Sequence, residues 1–279
     1  MKYADLHMHT SHSDGDYDIK EVIEMAVEAG IKTMAITDHD RADHFEKIKE
    51  IGKGFDIRLI KGLEISAYDF DSHKKVHIVG LFLPDSTPEI DKLNAITNKK
   101  REAYHISLLP DLKKKGFDLD YDFVKRFAPN SIIYKSDIFW ALKDKYPKEM
   151  ENKGFKDIFN EKTTDELAKT MGYIPVKDAI YAVNADGGLS ILAHPQEYDN
   201  WNEIEKYAGY GLRGVEINHS RMVDGDFERA KEFAEKYDLI RSGGSDFHRL
   251  GRFELGDYGL NEDEFKKLEE DFYEKYCNS

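Results

Sequence analysis

Ala4-Asp5-Leu6-His7-Met8-His9-Thr10 near one end and Gly243-Gly244-Ser245-Asp246-Phe247-His248 near the other decide how this 279-residue chain reads. Each stretch follows or contains an apolar run too short for a helix, and each carries two candidate metal ligands one residue apart. In extended chain, side chains at i and i+2 point to the same side, so His7 with His9, and Asp246 with His248, can each address one ion. Gly243 and Gly244 form either a simple turn or a close backbone approach to a ligand.

Working outward, short apolar runs recur at Ala4–Leu6, Thr33–Ile36, Ile57–Leu63, Val76–Phe82, Leu189–Ala193, Gly214–Ile217 and Leu239–Ile240, and they read as buried strands. Helical patterns separate several of them. Asp18 with Glu21 reads as a capping box, and Ile19, Val22, Ile23, Ala26 and Val27 recur at helical spacing until Gly30; residues 201–209 and 225–237 are also helical, and Pro175 sits at a helix start. Strand and helix alternate seven times, which predicts an α/β barrel of parallel strands. Residues 86–184 are Lys-rich and helical in character, predicting a helical insertion between the fourth and fifth strands, with residues 1–85 and 185–279 forming the barrel.

The His and acidic residues fall at strand ends. His7 and His9 follow the first strand, Asp38 and His39 the second and Glu64 the third; His77 lies in the fourth and His194 ends the fifth; Glu216 sits in the sixth, and Asp246 and His248 follow the seventh. Loops at the C-terminal face of a barrel converge on one site. Imidazole and carboxylate without thiolate suit zinc, manganese or iron. Asp40, Asp43, His44, His73 and His105 read instead as polar caps and turn residues.

Composition bounds the rest. The chain is 40% apolar and 34% charged with a formal charge of −14, which opposes binding to extended duplex nucleic acid. The charge is uneven, +2 over residues 86–184 and −16 elsewhere. The single cysteine, Cys277, excludes an intramolecular disulfide and a thiolate metal cluster, and no apolar run approaches a membrane span. The expectation is a soluble, cytoplasmic protein without a membrane partner.

Several motifs together resemble the PHP (polymerase and histidinol phosphatase) superfamily: Asp5 to Thr10 with Ser13, Asp14 and Gly15; Thr37 to Asp40; Gly62 to Ser66 with His77; Ala193, His194 and Pro195; and Gly244 to His248. The insertion is similar to that of the stand-alone branch with nucleoside 3',5'-bisphosphate phosphatases and 5'-to-3' exoribonucleases. The resemblance implies a distorted (β/α)7 barrel with two to three divalent ions, one on His7, His9, Glu64 and Asp246, a second on Glu64, His77 and His194, and a third on Asp14, His39 and His248.

The implied activity is hydrolysis of a phosphate ester of a small nucleotide, such as a 3',5'-bisphosphonucleotide, or of a short 5'-phosphorylated oligonucleotide, by a water bridging the Glu64-linked ions. Glu64, Asp246 and His248 are the implied catalytic residues, and His219 is a candidate proton donor to the leaving oxygen. Arg101 and Lys135 are the implied substrate cations. Where the branch carries an Arg and a His two residues apart, this chain has Lys135 and Asp137, a point charge and a group expected to repel phosphate. Histidinol phosphate hydrolysis, an amide-hydrolysing activity and a non-catalytic metal-binding PHP module are the alternatives.

Overall fold

The computed structural model describes residues 3–160, 162–251 and 254–277. Nine strands are present among them: β1 (Ala4–Asp5), β2 (Thr33–Ile36), β3 (Arg58–Lys61), β4 (Leu63–Asp69), β5 (Lys74–Leu81), β6 (Ile174–Pro175), β7 (Leu189–Leu192), β8 (Gly214–His219) and β9 (Ile240–Gly244). They form a parallel sheet β1-β2-β3 and a mixed sheet β6-β4-β5-β7-β8-β9. Hydrogen bonds join the two sheets. Asp246 N–H donates to His7 O (2.9 Å) and His9 N–H to Phe247 O (2.8 Å), while Asp40 N–H donates to Glu64 O (2.9 Å). The strands therefore follow one another around a distorted ring, an α/β fold as expected.

Helices cover the outside of this ring for local reasons. In Ile19–Glu28 the Asp18 carboxylate accepts from Glu21 N–H (2.9 Å) and the Glu21 carboxylate accepts from Asp18 N–H (2.8 Å), satisfying two otherwise orphaned donors. Ile19, Val22, Ile23 and Ala26 then face Met34 and Ile36 of β2 in one buried cluster. Burying each of the larger side chains stabilises by about 1.5–3 kcal/mol. Among the described residues no helix is long and apolar enough to cross a membrane.

The expectation of uniformly parallel strands is corrected at β5, which runs antiparallel to both β4 and β7. The cause is the short turn at residues 70–73, held by Asp69, which accepts from Asp71 N–H (3.1 Å) and Ser72 Oγ–H (2.8 Å); so tight a connection can only reverse the chain. Reversal places His77 opposite Ser66, and Ala193 N–H donates to His77 O (3.0 Å), so His77 reaches the same rim as His194. The run Ile57–Leu63, expected as one strand, is also divided: β3 ends at Lys61 and β4 begins at Leu63, so Glu64 lies inside β4 rather than after a strand.

Between β5 and β6 the described residues hold six helices, beginning at Pro88–Ser107 and ending at Asp165–Met171. Several of them bury an apolar cluster of their own, including Leu112, Val124, Ile138, Phe139 and Leu142. Asp40, read from sequence as a cap, is wholly buried and ties this region to the ring: its Oδ2 lies 2.5 Å from Arg101 Nη1, and its carbonyl accepts from Asn98 Nδ2 (2.9 Å).

Candidate metal centre

His7 and His9 leave β1 on the same side, and both are fully buried. His7 Nε2 lies 3.3 Å and His9 Nε2 3.2 Å from Glu64 Oε2; their distances to Asp246 Oδ1 are 3.5 and 3.3 Å. Two ligand atoms each about 2.1 Å from a tetrahedral ion stand about 3.4 Å apart, so these separations fit a shared cation. The two Nε2 atoms are buried without a hydrogen-bond partner, as ligand atoms would be.

Glu64 is ringed by five imidazoles. Its other oxygen, Oε1, lies 2.8 Å from His77 Nδ1 and 3.0 Å from His194 Nε2, and Oε2 is 3.3 Å from His39 Nδ1. On the outer side His248 Nε2 lies 3.2 Å from Asp14 Oδ1, with His39 Nε2 at 3.9 Å and His9 Nδ1 at 3.7 Å from the same carboxylate. The His248 Nδ1–H donates to Asp246 O (2.9 Å), leaving Nε2 to face Asp14. All nine residues of the implied ligand sets thus lie in one cluster. The grouping is broader than the resemblance implies, since His39 also joins Glu64 and His77, and His9 also joins Asp14 and His248.

Electrostatics point the same way. Burial opposes ionisation of Glu64, yet His77, His7 and His39 hold its carboxyl well below the usual range. Asp246 is likewise held well down against burial by His248, His219 and His9. Burial would depress His9, but Asp246, Glu64 and Asp14 carry it up to about 10. Buried carboxylates at this density require positive charge, from protons on the imidazoles or from cations.

A second layer holds the cluster. Asp38 accepts from Thr10 N–H (2.7 Å), Thr10 Oγ1–H (2.7 Å) and Ser13 Oγ–H (2.6 Å), which fixes the loop carrying His9 and Asp14. Glu216 Oε1 lies 2.7 Å from His7 Nδ1, and its Oε2 accepts from His194 N–H (2.7 Å). His219 is wholly buried, with Nε2 3.5 Å from Asp246 Oδ2 and Nδ1 beside Gln196 Nε2 (3.1 Å). Arg221 Nη2 lies 3.2 Å from the same Asp246 oxygen, and its Nη1 pairs with Glu197. Sequence reasoning gave Glu197 and Arg221 no role. The spacing of Arg221 two residues beyond His219 was the available signal.

A cavity of about 570 Å³ opens over the cluster. Asp14, His39, Glu64, His77, His194, Asp246 and His248 line it, together with six cations, Lys75, Arg101, Lys135, Lys156, Arg221 and Arg249, and the aromatic residues Tyr134, Phe155, Phe159, Tyr173 and Tyr198. His219 is not among the lining residues. The Arg101 guanidinium lies 5.7 Å from each of the Tyr134 and Tyr173 rings, and Lys135 Nζ 5.3 Å from the Tyr104 ring. Asp137 does not face this cavity. It lines a neighbouring one, where its Oδ2 accepts from Tyr134 N–H (2.7 Å) and caps Lys135–Lys145. Burial pushes its carboxyl up to about 8, so the group expected to repel phosphate stands away from the cavity with its ionisation disfavoured.

The PHP domain family matches residues 5–240. A phosphoribosyl 1,2-cyclic phosphate 1,2-diphosphodiesterase of Eggerthella lenta is 31% identical over 251 residues, 89% of this chain and 95% of that protein. A 5'-3' exoribonuclease of Haemophilus influenzae is 28% identical over 261 residues, 91% of this chain and 93% of that protein. A solved structure from Bifidobacterium adolescentis, named for an inferred metal-dependent phosphoesterase, superposes with a TM-score of 0.81 at 26% identity, covering 97% of this chain and 96% of that one. With a His, Asp and Glu cluster able to bind metal at the rim of such a fold, the chain belongs to the PHP family and is a metal-dependent phosphoesterase.

Proposed function

We propose that the enzyme hydrolyses a small phosphorylated ribose compound carrying a second phosphate, such as a nucleoside 3',5'-bisphosphate or the 5'-phosphorylated end of a short oligonucleotide. One observation carries this reading: six cations line the cavity above the ligand cluster in a chain of net charge −14. One phosphate needs only the centre and the nearest arginine; a second explains cations on the far walls.

His7, His9, Asp14, His39, Glu64, His77, His194, Asp246 and His248 hold two to three divalent ions, of manganese, zinc or iron. When bound, these supply positive charge to the phosphoryl oxygens and make water more acidic. Glu64 and Asp246 carry the negative charge that fixes the cations. Arg221, oriented by Glu197 and Asp246, meets the reacting phosphoryl group, and His248, whose Nδ1–H is held by the Asp246 carbonyl, turns Nε2 toward Asp14 as a ligand atom. His219, behind Asp246, orients that carboxylate. Arg101, Lys135 and Lys156 meet the second phosphate, with residues 86–184 acting as the cap. The lone Cys277 is consistent with a cytoplasmic location.

The Eggerthella relative favours a second reading within the same class, a phosphoribosyl 1,2-cyclic phosphate, which presents two phosphates to the same walls. Assays with manganese that read phosphate released from nucleoside bisphosphates, monophosphates and histidinol phosphate, and read by chromatography the phosphomonoesters formed from 5'-phosphorylated oligonucleotides and the cyclic phosphoribose, test both. Bisphosphorylated substrates should exceed their monophosphorylated counterparts in kcat/KM by about tenfold or more, the equivalent of one good charged contact. Equal values would remove the reading.

A further inference from the structure

We propose that Glu216 is a positioning residue that dictates which nitrogen of His7 faces the metal centre, an inference that rests on the metal-ligand reading above. Glu216 lies in β8 and is 1% exposed. The pairing of β8 with β9 slips between Glu216 and Asn218. Strict alternation would turn residues 216 and 219 to opposite faces, whereas the irregularity lets Glu216 reach His7 and His219 reach Asp246.

The hydrogen bonds leave little choice of tautomer. The backbone N–H of His194 can only donate, and it donates to Glu216 Oε2 at 2.7 Å. This bond also braces His194 at φ +28°, a backbone conformation that disfavours a side chain. The other oxygen, Oε1, stands 2.7 Å from His7 Nδ1. A carboxylate oxygen accepts, and with Oε2 taken by the His194 N–H the 2.7 Å contact at Oε1 is met by a donor, so His7 Nδ1 carries the proton. The lone pair of Nε2 is then available on the side where Glu64 Oε2 and Asp246 Oδ1 stand at 3.3 and 3.5 Å.

Glu216→Gln keeps the shape and inverts this logic. The His194 N–H still demands an acceptor, so the amide oxygen must face it, because the opposite orientation sets two donors against each other. The amide nitrogen then donates to His7 Nδ1, and the imidazole proton moves to Nε2. There it is accepted by Glu64 or Asp246, and His7 is lost as a ligand while every polar group keeps a partner.

The test is calorimetric titration of metal-stripped Glu216→Gln with zinc and with manganese, alongside thermal unfolding of the stripped protein. Long-range proton–nitrogen NMR of zinc-loaded wild type, with His7 identified from His7→Gln, reads the tautomer directly. The expected results are metal binding weakened about 10–100-fold with cooperative unfolding retained, and a His7 proton on Nδ1 in wild type. A purely packing role predicts rescue by the isosteric amide. Binding within about twofold of wild type, or a His7 proton on Nε2, would overturn the proposal, and the NMR result decides if the variant does not fold. His9→Ala run in parallel separates the two readings: if it also binds metal normally, the metal-ligand assignment fails, not the role of Glu216 alone.

Discussion

Asp40→Asn is the substitution whose cost follows most directly from the packing between the ring and the helices of residues 86–184. Asp40 is wholly buried and Arg101 is 3% exposed, with Oδ2 and Nη1 2.5 Å apart. Asparagine retains an acceptor for Ser66 N–H, which Asp40 Oδ1 now serves at 3.0 Å, so the change isolates the charge. Leaving one member of a buried ion pair uncompensated costs about 3–5 kcal/mol, and the rings of Tyr134 and Tyr173 return part of this as cation–π attraction, so a net loss of about 2–4 kcal/mol is expected. Urea unfolding of metal-stripped protein measures it. Arg101→Met strands the carboxylate instead and should cost a similar amount, whereas the double variant strands nothing and should be less destabilised than the sum. Inorganic phosphate should protect Asp40→Asn more than wild type, because the released guanidinium lines the cavity. Additive single effects, or a loss below about 0.5 kcal/mol for Asp40→Asn, would refute an electrostatic clasp between the two parts.

Asp137→Asn tests the protonated cap. Because folding raises this carboxyl from 3.8 to about 8, its stabilisation is fully present below about pH 4 and is lost as pH rises through about 8. Wild-type stability should therefore fall relative to the variant between those limits, and parallel urea midpoints at acidic and alkaline pH would contradict the assignment. Chelation should lower the melting temperature of wild type, and resupplied manganese should restore up to about 4 kcal/mol at a thousandfold excess over Kd, while Asp246→Asn should respond weakly; equal recovery would count against Asp246 as a ligand. In Gly244→Ala the new methyl would sit 2.4 Å from His7 Cβ and 2.5 Å from its backbone nitrogen. That overlap should cost about 1–3 kcal/mol and weaken metal binding, whereas Gly209→Ala, which meets nothing within 4 Å, is the neutral control.

Much of the candidate site is legible in sequence because the candidate ligands follow short apolar runs at spacings of two, and an extended chain aims such pairs together without tertiary help. His7 with His9, and Asp246 with His248, are of this kind. The reversal of β5 was less visible. Its signal, the polar run from Asp71 to Lys75 between two apolar stretches, competes with the expectation of parallel strands, and Glu64 interrupts the apolar residues that open β4. The second layer was the hardest to read. Asp40, Glu197 and Arg221 act through partners up to 61 residues away that only the folded ring supplies, as Arg101 does for Asp40. Asp137 misleads because burial and the helix-capping hydrogen bond, neither evident from residue type, change its charge.

The seam between β1 and β9 also has a consequence for how the protein is made. Asp5 accepts from the backbone N–H of Ser245, 240 residues away, and of Gly256, 251 residues away. The ring is completed by its most distant contacts, so the chain has a closing step of high contact order, which slows folding. On a ribosome adding about 5–20 residues per second, His7 and His9 are synthesised roughly 12–50 s before Asp246 and His248. Throughout that interval His7 and His9 lack the Asp246 carboxylate and have no closed ring around them. If these residues hold metal as proposed, the complete set exists only once the ring has closed, and variants that loosen the seam should load metal less well during synthesis than after refolding of the purified protein.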